Sequence, residues 1–259
     1  MDLGIAGRKA IVCASSRGLG RACAKALAEA GCEVVINGRD RERLLATAAE
    51  LHKETGARIT PVVADVAAPD GQKALFDACP QPDILVNNNG GPPFRDFREL
   101  DRQKLLDGVI ANMVVAIELT QKAIDPMIAK KFGRIVNITS GSVKAPIAGL
   151  DLSSGARAGL TAFFAGVARN VAAANVTINF LLPGVFATDR FQTYVETTMK
   201  KKGISAEAAL AERATTVPAR RIGDPAEFGA ACAFLCSAHA GYITGQNLLI
   251  DGGAFPGAF

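Results

Sequence analysis

Short apolar runs rich in β-branched residues alternate along this chain with longer stretches in which apolar residues recur every three to four positions. The runs at 9–13, 32–36, 58–64, 83–86, Gly133–Ile138, 176–181 and 246–250 predict seven strands. The spacings at 21–30, 41–53, 71–78, 97–107, 111–129, 152–174 and 225–237 predict helices, and 190–214 predicts a mixed helical excursion. Strands separated by helices of this length pair in parallel, because parallel neighbours need long crossovers, and their continuous apolar character means that both sheet faces are covered. The expectation is therefore one α/β domain over residues 1–259, doubly wound around a seven-stranded parallel sheet, with no linker or repeat dividing it. In such a fold a ligand binds at the carboxyl ends of the strands.

Composition narrows the function without naming it. With 259 residues, 49% of them apolar, the chain is long enough to bury a large core. The net charge of +4 is scattered among acidic residues with no basic run or aromatic ladder, which argues against a nucleic-acid partner and for a small-molecule substrate. Cys13, Cys23, Cys32, Cys79, Cys232 and Cys236 occupy mostly apolar positions and show no metal-ligand spacing; Cys232 and Cys236 read as two core positions of one helix. No metal is expected, and a reducing cytoplasm is. No apolar run approaches the ~20 residues that span a bilayer, and the first residues do not read as a signal peptide, so neither membrane insertion nor export is expected.

The loops after successive strands carry the candidate chemistry. Ala14-Ser-Ser-Arg-Gly18-Leu-Gly20 separates the first strand from the first helix, and a glycine-rich turn there lets backbone approach a phosphate that the helix N-terminus favours. Asn37-Gly-Arg39-Asp40 ends the second strand beside the expected adenosine ribose. Asp65-Val66 closes the third strand, either as an acceptor for an adenine amino group or as a helix cap before 67–70. Asn87-Asn-Asn-Gly90 closes the fourth, Ser140 ends the fifth and Pro183-Gly184 ends the sixth. Asn112 falls inside an apolar helical stretch, where a desolvated amide needs a partner or a local kink. Arg39 and Arg17 suit a 2′-phosphate better than a bare ribose, and Asp40 reads as the N-cap of the helix at 41–53, so the cofactor is expected to be NADP(H) rather than NAD(H).

Over essentially its whole length the chain resembles the short-chain dehydrogenase/reductase family, and more specifically its 3-oxoacyl-carrier-protein reductases. The family's Thr-Gly-x-x-x-Gly-x-Gly corresponds to Cys13 through Gly20 with Ala14 in place of the first glycine, and its Asn-Asn-Ala-Gly to Asn87-Asn88-Asn89-Gly90. Its helix asparagine matches Asn112, its strand-end serine Ser140, and its Pro-Gly loop ending in threonine Pro183-Gly184 through Thr188. The resemblance implies a Rossmann-type domain. It assigns cofactor contacts to Ser15, Ser16, Arg17, Gly18, Leu19, Gly20, Arg39, Asp65, Val66, Asn87, Asn88, Gly90, Arg157, Pro183, Gly184, Val185 and Thr188, and a substrate lid to about 187–214. It places catalysis on Asn112, Ser140, Ser153 and Arg157, the last two standing where the family carries Tyr-x-x-x-Lys.

That departure is the main question the sequence raises. A serine hydroxyl is a far weaker acid than a phenol of ordinary pKa about 10, and arginine keeps its proton. Tyr194, Lys144, Asp151 or a water held by Ser140, Ser153 and Asn112 could supply the acid, whereas His52 and His239 read as structural. The loop Gly90-Gly-Pro-Pro-Phe94 is expected to shape the substrate entrance. The expected activity is an NADP(H)-dependent oxidoreductase on a carbonyl or alcohol; the alternatives are a cofactor-binding protein without turnover, serving as a sensor or as an oligomer partner, and a non-redox lyase or isomerase. Apolar residues on more than one face of the helix at 152–174, and the tail at 254–259, predict a homo-oligomer, most simply a tetramer.

Overall fold

The computed structural model describes residues 1–91 and 94–258. Pro92 and Pro93, in the expected entrance loop, and Phe259, in the expected oligomer contact, lie outside the described residues. The apolar runs become β1 (Lys9–Val12), β2 (Glu33–Gly38), β3 (Ile59–Val63), β4 (Ile84–Asn87), β5 (Gly133–Ile138), β6 (Val176–Pro183) and β7 (Asn247–Ile250). They form one parallel sheet in the order β3-β2-β1-β4-β5-β6-β7. Strand order reverses between β1 and β4, which opens a crevice at their carboxyl ends.

Strand periodicity sorts the core into two layers. Val12, Ile36, Val86 and Val136 join a cluster with residues of α1 (Gly18–Glu29), α2 (Arg41–Thr55) and α9 (Pro225–Cys236). Ile11, Val35, Leu85 and Ile135 join a second with α3 (Pro69–Ala78), α5 (Val115–Ala129) and α6 (Asp151–Val171). Helices α1 and α9 pack closely because Gly229 carries no side chain: a Cβ there would lie 2.5 Å from the Ala22 carbonyl oxygen.

Three local expectations are refined. Helix α1 begins at Gly18 rather than 21, so the glycine turn is itself part of the first helical turn. The segment 190–214 is two helices, α7 (Asp189–Lys202) and α8 (Ala206–Thr215), divided where Gly203 takes a left-handed φ of +65° and Ser205 caps the next helix. The stretches 97–107 and 111–129 contain a 3₁₀ turn at Phe97–Glu99, α4 (Arg102–Val109), a π-turn at Ile110–Val114 and then α5. Asn112 lies in that π-turn, so the local distortion expected around a buried amide is present.

Candidate functional site

The turn after β1 is built from the inside out. Ser15 is fully buried; its Oγ donates to the Val12 carbonyl at 2.7 Å and accepts from the Asn37 amide at 2.9 Å. Asn37, also buried, accepts from the Ala14 amide and donates to the Val62 and Ala64 carbonyls, tying the turn to β3. Gly20 is required by space, because a Cβ would sit 2.4 Å from the Ala14 carbonyl oxygen. Ala14 itself adopts φ +44°, in the left-handed region. Leu19 packs against the core, and a Cβ at Gly18 would meet the Thr188 side chain at 3.8 Å, so the loop after β6 closes over the turn. Helix α1 has an extended N-cap at Arg17, no side-chain cap and no acidic residue in its first turn, which leaves its first N–H groups to an anion.

Around the tip of β2 three arginines gather. Arg17 donates to Asp189 at 3.3 Å and Arg43 donates to the same carboxylate at 3.0 Å. Arg39 is exposed and lies 3.7 Å from Asp65. Asp40 caps α2 by accepting from the Arg43 amide at 3.1 Å, as expected. Asp65 accepts from the Ala67 amide at 2.9 Å, but the N-cap of α3 is Ala68, so Asp65 shapes the approach to the helix rather than capping it. Val66 is a core residue. Arg43, in the first turn of α2, was not among the expected cofactor residues, although it stands only four positions after Arg39 in the sequence.

The four residues after β4 have separate tasks. Asn87 is buried and donates to Asn137 Oδ1 at 2.9 Å, with Thr120 and the Ala116 carbonyl beside it. Asn88 donates to the Ala14 carbonyl at 3.1 Å, joining the fourth strand's loop to the first. Asn89, where the family has alanine, donates to the Ala111 carbonyl at 3.1 Å and so pins the π-turn. Gly90 is exposed.

At the other end of the crevice, Asn112 is buried, donates to the Gly108 carbonyl at 3.0 Å, and keeps an Oδ1 with no partner among the described residues. Ser140 accepts from the Ser142 amide at 3.1 Å where the chain leaves β5. Ser153 and Arg157, one turn apart on α6, are both buried. Arg157 Nε donates to Ser153 Oγ at 3.2 Å and Nη1 donates to the Ile138 carbonyl at 2.7 Å, locking α6 onto the end of β5 two residues before Ser140. Burial, with Arg190 nearby adding to it, pulls the Arg157 guanidinium down to about 10. Arg157, Asn112, Asn88 and Asn89 line one cleft, and Asn112 also borders a cavity of about 260 Å³ walled by Gly90, Arg95, Leu100, Lys104, Leu150 and Leu152. Beyond β6, Gly184 allows the chain to cross Asp251, since a Cβ would come within 2.6 Å of that residue's Cβ. Pro183, Val185 and Thr188 carry the loop into α7: the Val185 carbonyl accepts from Gly223 and the Thr188 amide donates to Phe186.

Among the described residues, none of the other proposed acids hydrogen-bonds a side chain of this group. Tyr194 is 43% exposed and stacks on Phe191 with ring centroids 5.7 Å apart, Lys144 faces the Phe255 ring, and Asp151 is exposed in the first turn of α6. His52 bonds the Ala57 carbonyl and His239 the Asp2 carbonyl, in structural roles as expected. All six cysteines are buried and free, and burial pushes the Cys13 thiol up to about 12. Among the described residues no group of side chains could hold a metal ion, and no helix is long and apolar enough to cross a membrane.

Residues 13–254 match the family model described as enoyl-(acyl carrier protein) reductase. The chain is 32% identical over 252 residues to the NADPH-dependent reductase BacG of Bacillus subtilis (strain 168), covering 95% of this chain and 97% of that protein. It is 32% identical over 254 residues to the 3-oxoacyl-[acyl-carrier-protein] reductase FabG of Vibrio harveyi, covering 98% and 99%. The crystal structure of L-sorbose reductase from Gluconobacter frateurii, complexed with NADPH and L-sorbose, superposes with a TM-score of 0.94 at 28% identity, covering 99% of this chain and 100% of that one.

Proposed function

This chain belongs to the short-chain dehydrogenase/reductase family, and from that premise we propose that it is an NADP(H)-dependent oxidoreductase acting on a carbonyl or alcohol substrate, with Ser153 and Arg157 in the places of the family's tyrosine and lysine. The observation that carries the reading is the joined pair of sites at the ends of one crevice: an uncapped helix N-terminus beside three arginines, and a buried Asn112–Ser153–Arg157 group beside a cavity.

The chemistry of the donor set fits the cofactor. The free N–H groups of α1 suit the diphosphate, and Arg17, Arg39 and Arg43 suit a 2′-phosphate, which guanidinium forks bind through short charged hydrogen bonds. The names of relatives point the same way, since BacG is called NADPH-dependent and L-sorbose reductase was solved with NADPH. When bound, the reduced nicotinamide supplies a hydride. The chain's own residues then polarise the substrate and manage a proton. Ser153 Oγ accepts from Arg157, which leaves its own hydroxyl proton to donate onward. The Oδ1 of Asn112, without a partner among the described residues, offers an acceptor at the adjoining cleft, and Ser140, two residues beyond β5, stands to donate to the substrate oxygen. Arg157 orients Ser153 and holds positive charge near the reacting oxygen, but it does not relay protons.

The six buried, reduced thiols favour a cytoplasmic setting, and the exposed Phe163 on α6 favours a homotetramer. The test is direct: NADPH incubated with a panel of ketones, 3-oxoacyl thioesters included, loses nicotinamide absorbance only when substrate and protein are both present. Tight NADPH binding with no oxidation across the panel would leave a cofactor-binding protein or a non-redox enzyme.

A further inference from the structure

Arg157 comes from α6 and Arg190 from the first turn of α7, yet their guanidinium groups converge on one point. A Cβ built at Gly91 would lie 3.0 Å from Arg190 Nη1 and 3.9 Å from Arg157 Nη2. Two cations that approach the same backbone position repel each other, and Arg157 is only 8% exposed, so water screens it poorly.

Neither arginine has an acidic partner among the described residues. Arg157 spends Nε on Ser153 and Nη1 on Ile138, which leaves Nη2 on the Gly91 side. Asp189, next to Arg190 in sequence, accepts instead from Arg17 and Arg43. A buried arginine can be purely structural, as Arg134 shows: its Nε, Nη1 and Nη2 all donate to oxygens of Ser237, Gly133 and Asn175. Arg157 is not satisfied in that way.

We propose that Arg157 and Arg190 together form a receptor for a carboxylate carried by the substrate. The free edge of one guanidinium and the tip of the other offer donors to the two oxygens of a planar acid, the geometry in which arginine outperforms lysine. The pair belongs to the substrate end of the crevice, because Arg157 shares its cleft with Asn112, and Gly90, the neighbour of Gly91, lines the larger cavity that Asn112 also borders. This accounts for an arginine at the lysine's position, where a cation is retained but its donors are redirected. The inference rests on the oxidoreductase reading and names the substrate class of that same site.

The experiment titrates the NADP⁺-saturated protein calorimetrically with pyruvate, levulinate and benzoate, each against its primary amide. At least one acid binds about tenfold or more tightly than its amide, as charge-assisted hydrogen bonds imply. Arg190→Ala abolishes that preference, Arg190→Lys restores part of it, and NADP⁺ affinity is unchanged in both. Arg190 is exposed, so its replacement spares the core. Equal binding of acid and amide, or binding of neither, overturns the proposal, and so does weakened NADP⁺ affinity in Arg190→Ala, which would assign the pair to the cofactor. A wild-type protein that fails to bind NADP⁺ would instead overturn the oxidoreductase reading.

Discussion

Ala14 matches the first glycine of the family's glycine-rich pattern, and it pays for that position in backbone strain, with φ at +44°. A left-handed conformation costs an L-residue about 1–2 kcal/mol, offset by glycine's greater entropy in the unfolded chain of about 0.5–1 kcal/mol. Ala14→Gly should therefore stabilise the protein by about 0.5–1 kcal/mol, read as a higher denaturation midpoint at unchanged slope. Ser153 and Arg157 invite the opposite kind of change. A tyrosine at 153 needs space that the Arg157 guanidinium now occupies, 3.2 Å from the serine oxygen. The double variant Ser153→Tyr with Arg157→Lys should raise turnover on a simple ketone by about 10² or more, the worth of a positioned general acid, and Ser153→Tyr alone should raise it less. Steady-state rates decide this; no gain with NADPH binding intact would mean that the pocket serves other chemistry.

The π-turn at Ile110–Val114 and the start of α9 show how short segments set geometry. Asn89 secures the first by bonding the Ala111 carbonyl, and the widened turn places Asn112 between the cleft and the larger cavity. Helix α9 begins with a capping box in which Asp224 and Glu227 each accept from the other's end of the turn. The Arg221 guanidinium, then the Asp224 amide, hold the Glu227 carboxyl down at about 2, below its ordinary 4.5. A depressed acid stabilises the fold above its unfolded value, and that contribution fades as pH falls from 4.5 through about 2. Glu227→Gln should accordingly lower the melting temperature near neutrality and flatten its decline across that acid window, as a pH series of thermal melts would reveal.

Two layers of core account for most of the fold's burial, yet Phe163 on α6 stays 45% exposed while Leu160 and Phe164 beside it are buried. An aromatic of that size on a long helix is the expected seat of a subunit contact. Light scattering at micromolar concentration should return an oligomer, a tetramer in the simplest case, and Phe163→Asp should shift the mass downward; a monomeric wild type would refute the assignment.

The strand and helix rhythm, the glycine turn, the Asp40 cap and the amide expected to distort its helix were legible in the sequence, because each follows from local periodicity or from one residue's backbone and polar needs. Seven strands were expected, and among the described residues seven form. The roles of buried Asn37 and Asn87 in bracing neighbouring strands were not legible, since they depend on partners 22 to 50 positions away. Arg190 was hidden for the same reason: nothing in its neighbourhood along the chain marks it, and only the packing of α6 and α7 around the loop after β4 brings it to Gly91. Sequence determined which elements form and what the loops can donate or accept. Tertiary structure decided which charges are already spent and which remain to meet a ligand, because a side chain's partners are set by distance in space rather than by separation along the chain.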